Sequence, residues 1–194
     1  MLVHVLSWIP SRPVAVKKLE HKKEDKMKTI DSLLKEFEHE AQTTRKHLER
    51  LPDEKLAWQP HQKSFTAAGL ASHITECVGW TEVIFNENEI NFDPSTYKPY
   101  AAESVADLLK TFDDNVAKGK RALAAATEET LEQPWALKIM GRVQFERPRA
   151  EIFRDFTLSH VIHHRGQFSV YLRLLDIAVP GSYGPSADEA SGTK

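Results

Sequence analysis

From Met27 onward, apolar positions recur mainly at spacings of three and four, the pattern of amphipathic helices with one face turned to a core. The first stripe runs through Ile30, Leu33, Leu34, Phe37, Ala41, Thr44, Leu48 and Leu51, and Pro52 ends it. A second helix is expected from Ala67 to about Asn88, capped by Ser64 or Thr66, with Leu70, His73, Cys77, Trp80 and Ile84 on its inner stripe. A third runs from about Glu103 to Ala126 on Val105, Leu108, Leu109, Phe112, Val116 and Leu123. The last follows Pro148, from about Arg149 to Leu175. Its expected inner face is Ile152, Phe153, Phe156, His160, His164, Gln167, Tyr171 and Leu174 or Leu175. Between these lie a proline-punctuated stretch, Asn91–Ala102, read as a loop, and a weakly alternating one, Trp135–Phe145, with a short hairpin possible around Gly141.

Four long amphipathic helices without a strong sheet signal predict an all-α, four-helix bundle. Short loops would make neighbouring helices antiparallel; the longer connections over residues 89–102 and 127–148 leave a crossover open. Residues 1–26 read differently. MLVHVLSWIP is apolar but short, and AVKKLEHKKEDK is dense in charge, so this stretch is expected to be a poorly ordered extension ahead of one domain over 27–190.

Composition narrows the chemistry. The 26 Lys and Arg against 28 Asp and Glu give a net charge of −2, which offers no basic footprint for a nucleic-acid backbone. No apolar run is long enough to span a membrane, and without a convincing export signal the cytoplasm is the default location. The single cysteine, Cys77, excludes an internal disulfide and multi-cysteine metal sites. No glycine-rich phosphate-binding motif occurs.

Three histidines stand out on the expected inner faces. His160 and His164 are four residues apart, about 40° around a helix axis and one turn along it, so their rings can converge. His73 could add a third nitrogen from another helix. Neutral imidazole suits Zn, Ni, Cu or Fe, and three protein ligands leave a position open for water or substrate. The pattern alone leaves two readings: a shared ion, or three separately satisfied core histidines. His163 reads as a partly exposed flank residue, Cys77 as a small buried hydrophobe, and Glu76 as a surface carboxylate within possible reach of an imidazole N–H. Trp58 and Trp80 read as core or pocket wall.

Three separated segments, LAWQPHQKSFT followed by LASHITECVGW, HVIHHRGQ followed by SVYLRL, and VPGSYGPSADE, together resemble the DinB family of metal-binding four-helix bundles over residues 27–190. The resemblance implies an up-down-down-up bundle and a divalent metal, Zn or Ni most often. It assigns the ligand set to His73, His160 and His164, and implies frequent homodimers. It also implies thiol-dependent chemistry in some relatives, with a low-molecular-weight thiol as cosubstrate. The expected function is therefore a metal-dependent enzyme that activates a thiol or water against a small-molecule substrate, as a transferase or a hydrolase. The alternative is a non-catalytic metal-binding stress-response protein. On this reading Arg165 is a surface or dimer salt-bridge residue or a clamp for an anionic substrate, and Gln167 holds a metal-bound water or a neighbouring helix.

Overall fold

A computed structural model describes residues 29–190. The expected extension over residues 1–26 lies outside the described residues. Four long helical segments form the bundle: α1 (Thr29–Leu48), α2 (Ala67–Asn86), α3 (Val105–Ala125), and a composite segment made of α5 (Arg149–Ile152), a π-helical stretch (Phe153–Ser159) and α6 (His160–Leu174). The short helix α4 (Glu128–Glu132) sits in the connection after α3, and α7 (Ala187–Ala190) follows α6. Helix starts follow the capping chemistry. Thr66 Oγ1 accepts from Gly69 N at 3.0 Å and Ser104 Oγ from Asp107 N at 3.1 Å, each satisfying an orphan amide of the first turn.

Cross-helix contacts fix the topology as up-down-down-up. Arg45 meets Asp113 while Lys120 meets Glu38, so α1 and α3 are antiparallel. Ala102 N donates to Ser72 Oγ, and further along Gly119 closes on Thr81, so α3 runs parallel to α2. That requires the long connection after Asn86 to travel back along α2, which is the crossover. Arg149 reaches Ile84 and His160 reaches His73, so the last segment is antiparallel to α2. It is parallel to α1, with Arg154 at Glu36 and Arg165 at Glu40. The close passage at Gly119 depends on glycine: a Cβ there would sit 2.9 Å from Thr81 Cβ and 3.0 Å from Phe37 Cζ.

The core is aliphatic with an aromatic centre, where Phe153 packs on Phe37 and Phe85 at ring-centroid distances of 6.0 and 5.4 Å. A small three-stranded sheet closes one end of the bundle. β1 (Glu89–Phe92) pairs in parallel with β2 (Pro134–Ile139), and β2 forms a hairpin with β3 (Arg142–Pro148). Met140 and Gly141 both take positive φ, 50° and 76°, as a two-residue hairpin turn between right-twisted strands requires. The hairpin around Gly141 was foreseen. The strand β1 was not, because four residues of EINF pair only through long-range contacts that a local pattern does not contain. Trp135 on β2 is fully buried and joins the core. The guanidinium of Arg149 donates to the carbonyls of Ile84 and Glu87 and to Asn88 Oδ1, tying the sheet end of α2 to the last helical segment.

The inner face of the last segment differs from the expected one. After the π-helical stretch the buried positions are Val161, Arg165, Phe168 and Leu172, each one residue beyond the expected His160, His164, Gln167 and Tyr171. A π turn holds an extra residue, and one extra residue rotates everything after it by about 100°. Gln167 is exposed and Leu174 is 57% exposed. His160, His164 and Tyr171 lie half-buried on the flank that faces α2. On α2 itself His73 and Trp80 are likewise half-buried, beside a core of Leu70, Ile74, Cys77, Val78 and Ile84. The histidines therefore line the seam between two helices and not the centre of the core.

Candidate metal centre

His73 stands on the second turn of α2, and His160 and His164 on the first turns of α6, immediately after the π-helical stretch. Single-turn π insertions recur at functional sites because they re-aim side chains without breaking the helix. Here the insertion turns both α6 histidines toward His73. The three rings form one cluster. Centroids are 5.1 Å apart for His73 and His160, 4.7 Å for His73 and His164, and 4.8 Å for His160 and His164. The Nε2 atoms of His73 and His160 are 3.3 Å apart. Two imidazole nitrogens bound to one tetrahedral ion at 2.0–2.1 Å would be separated by about 3.3–3.4 Å, so this spacing fits a shared ion.

Cys77, one turn below His73, brings its Sγ to 3.8 Å from His73 Nε2. A sulfur and a nitrogen on one tetrahedral ion would be about 3.6 Å apart. Among the described residues, the set whose candidate ligand atoms all lie within 4.8 Å of one another is His73, Cys77 and His160; His164 adjoins it through its ring, 4.7 and 4.8 Å between centroids from His73 and His160. Cys77 is almost fully buried, and burial, with the neighbouring Glu76 adding to it, pushes its thiol up to about 12. It is an un-ionised thiol unless a bound cation displaces its proton.

The electrostatics favour neutral imidazoles at the two α6 positions. Burial holds His160 down to about 4, with the neighbouring His164 and His73 acting in the same direction. Burial also lowers His164, against a raising hydrogen bond from Gln167. Gln167 Oε1 is 2.7 Å from His164 Nδ1. With that oxygen accepting, Nδ1 carries the proton and the Nε2 lone pair is free for coordination. Gln167 thus acts on its own helix, one turn from His164. Glu76 is part of the site after all. Its Oε1 accepts from Tyr97 Oη and from Tyr100 N, both at 2.7 Å, and its Oε2 lies 3.8 Å from His73 Nδ1. The donor set, neutral and nitrogen-rich with a thiol alongside, suits a borderline divalent ion such as zinc or nickel.

Arg165 is neither a surface residue nor a clamp at the histidine cluster. It is 2% exposed and points the opposite way, into a polar knot between α1 and α6. There its Nη1 donates to Glu40 Oε2 at 2.6 Å and to Thr44 Oγ1 at 3.2 Å, and its Nη2 to Tyr183 Oη at 2.8 Å. The same π insertion that moves the histidines to the flank carries Arg165 inward. His163 is exposed and edge-on to His164 at 4.8 Å between centroids. Trp58 packs on Tyr171 and Trp80 on Phe156, as wall residues.

Two clefts open beside the cluster. One of about 460 Å³ runs from His73 and Glu76 to Tyr97 and Tyr100. The other, of about 390 Å³, holds Lys63, His164, Gln167 and Tyr171. Phe65 borders both and stacks on His73 with centroids 5.8 Å apart. Sequence reasoning passed over Phe65 and Tyr97. Phe65 just precedes a helix cap and belongs to no periodic stripe. Tyr97 lies in the proline-punctuated loop, where two tyrosines in four residues were the available signal.

The fold and the site together define a small four-helix bundle with an up-down-down-up course and a cluster of candidate metal ligands between its second and last helices. The chain matches the DinB family over residues 23–194 and belongs to that family. It is 27% identical over 164 residues to the uncharacterized protein YrdA of Bacillus subtilis (strain 168), spanning 83% of this chain and 92% of that protein. Among solved structures, a DinB-like protein from Bacillus cereus ATCC 10987 superposes with a TM-score of 0.62 at 22% identity, covering 79% of this chain and 97% of that one. The DinB-like protein YjoA of Bacillus subtilis gives a TM-score of 0.62 at 19% identity, covering 78% and 96%. Among the described residues, no helix is long and apolar enough to cross a membrane.

Proposed function

We propose that His73, His160 and His164 hold one divalent metal ion, zinc or nickel, and that the protein is a metal-dependent enzyme acting on small molecules. The observation that carries this reading is the contact of three imidazole rings from two helices, with two Nε2 atoms 3.3 Å apart, at the mouth of clefts open to solvent. A bound ion of this kind lowers the pKa of a thiol or water and so supplies a nucleophile at neutral pH. The chain's own residues contribute the rest. Gln167 holds the His164 tautomer, Glu76 stands beside His73 Nδ1, and Phe65 covers one face of the His73 ring. The reaction class is transfer to a thiol or hydrolysis by water, and a homodimer is part of the same proposal.

The test is metal content by plasma mass spectrometry after purification and dialysis. About one ion per chain is expected, falling at least tenfold in His164→Ala and His160→Ala. Unchanged binding in either variant refutes the ligand set. A panel of low-molecular-weight thiols and electrophiles, assayed with and without zinc or nickel, tests the enzyme reading. Absence of metal-dependent turnover across the panel weighs against it.

The position of Cys77 favours a second reading, because Sγ lies 3.8 Å from His73 Nε2. A thiolate there would close the coordination shell, as in storage or structural sites. Cys77→Ala separates the two. Retained metal with retained turnover supports three histidines and an open position; lost metal supports the four-ligand, non-catalytic site.

A further inference from the structure

We propose that the larger cleft beside His73 is a binding site for a neutral, flat, apolar group, with Phe65 and Tyr97 as the residues that set its specificity. The proposal rests on the metal reading only for which end of the ligand reacts. The cleft, of about 460 Å³, falls in the range of small-molecule sites. Its lining includes side chains with little or no reach, Ala68, Gly69, Ala101 and Ala102, which leave room for a flat ring. Its walls are aromatic. Phe65 is 54% exposed and Tyr97 43% exposed, and an aromatic ring left open to water gains by stacking a second one.

Charge decides what kind of ring. Among the described lining residues the one charged side chain is that of Glu76, and none is lysine or arginine; a metal ion on His73 would be the one cation at the edge of this cleft. The Glu76 carboxylate is 17% exposed, so its field acts through little water and disfavours an anion. Oε1 is already engaged by Tyr97 Oη and Tyr100 N, which fastens the loop wall to α2 and leaves that oxygen no need of a ligand cation. The cleft on the other side of Phe65 carries the opposite charge, with Lys63 and no carboxylate among its described lining residues. Phe65 therefore divides a cleft whose charged side chain is Glu76 from one whose charged side chain is Lys63, and both reach the histidines.

Fluorescence titration with two probes that share their rings tests this. N-phenyl-1-naphthylamine is neutral, and 1-anilinonaphthalene-8-sulfonate adds one sulfonate. The neutral probe is expected to bind saturably and at least fivefold more tightly than the sulfonate. Glu76→Gln, which keeps an acceptor for Tyr97 and Tyr100, should narrow that gap to within twofold. Ala101→Trp, at an exposed position, should fill the cleft and weaken the neutral probe at least tenfold; Phe65→Ala should weaken it several-fold even if the first variant folds poorly. Equal affinity of the two probes for the wild type, or indifference to both Ala101→Trp and Phe65→Ala, overturns the assignment. The titrations are repeated on chelator-treated wild type and on His164→Ala. Binding should persist there, so loss of the metal site and loss of this site are read separately.

Discussion

Replacing Arg165 by Ala tests whether this residue belongs to the fold or to the chemistry. The guanidinium is 2% exposed and donates to the Glu40 side chain and carbonyl, to Thr44 Oγ1 and to Tyr183 Oη, while its charge sits 5.3 Å from the Tyr183 ring centre. Its removal leaves the Glu40 carboxylate, 7% exposed, with the Tyr183 hydroxyl at 3.1 Å as its one side-chain donor among the described residues. Stranding one member of a buried pair costs about 3–5 kcal/mol. For a domain of this length that is a fall in Tm of roughly 6–20 °C. The charge itself is not required. Arg165→Met combined with Glu40→Leu removes both charges and restores apolar volume, and should recover most of the loss. Urea and thermal unfolding of the single and double variants read the stability, and metal content per folded chain reads the site. Because Arg165 points away from the histidines, stoichiometry should stay at the wild-type value. A single variant that loses less than about 1 kcal/mol while shedding its metal would refute this placement.

Other outcomes follow from the same coordinates. The imidazoles of His160, held down to about 4 by burial, and of His47 and His164, also lowered by burial, should stay neutral in the folded state while the unfolded chain takes protons near 6.5. The unfolded state then binds more protons below that pH, so the metal-free protein should lose stability as pH falls through about 6.5 and level off near 4. His160→Asn should flatten the slope in urea midpoints across that window, and an unchanged slope would contradict the assigned burial. Cys77, almost fully buried with its thiol pushed up to about 12, should resist an aromatic disulfide reagent at pH 8 in the folded metal-free protein and react in urea; fast native labelling would contradict it. Gly119→Ala should cost about 1–3 kcal/mol, read by thermal unfolding, because its Cβ would meet Thr81 Cβ at 2.9 Å and Phe37 Cζ at 3.0 Å. A neutral substitution would mean the α2–α3 contact is looser than described.

Most of the bundle was legible in the sequence because its first three helices carry an unbroken period. Ile30, Leu33, Phe37, Ala41, Thr44 and Leu48 are all buried on α1, and Leu108, Phe112 and Leu123 on α3, as the spacing required. Thr66 caps α2 because a hydroxyl just before a helical run accepts a first-turn amide whatever surrounds it. What stayed hidden depends on contacts distant in sequence. Strand β1 exists because β2 lies beside it, some 45 residues on, with Glu89 opposite Ala136. Nothing in its own neighbourhood sets Glu40 apart from Glu36 and Glu38 on α1. It is buried because Arg165, 125 positions away, comes to meet it.

The largest discrepancy and the candidate site share one cause. Carried through residues 153–171 without interruption, a 3.6-residue period would bury His160, His164 and Tyr171 and expose Val161, Arg165, Phe168 and Leu172. Two imidazoles would then stand in the core beside Phe37 and Phe153, each desolvated and away from solvent. The extra residue between Phe153 and Ser159 exchanges the two faces. Val161, Phe168 and Leu172 become the packing surface, Arg165 finds Glu40, and the histidines move to the seam with α2, where Phe65 and the clefts lie. An insertion of this kind carries a cost in helix hydrogen bonding. It persists here because one adjustment satisfies both requirements, an apolar face for the bundle and an accessible cluster of nitrogen donors, which a single uninterrupted α-helical stripe on this sequence would place in conflict.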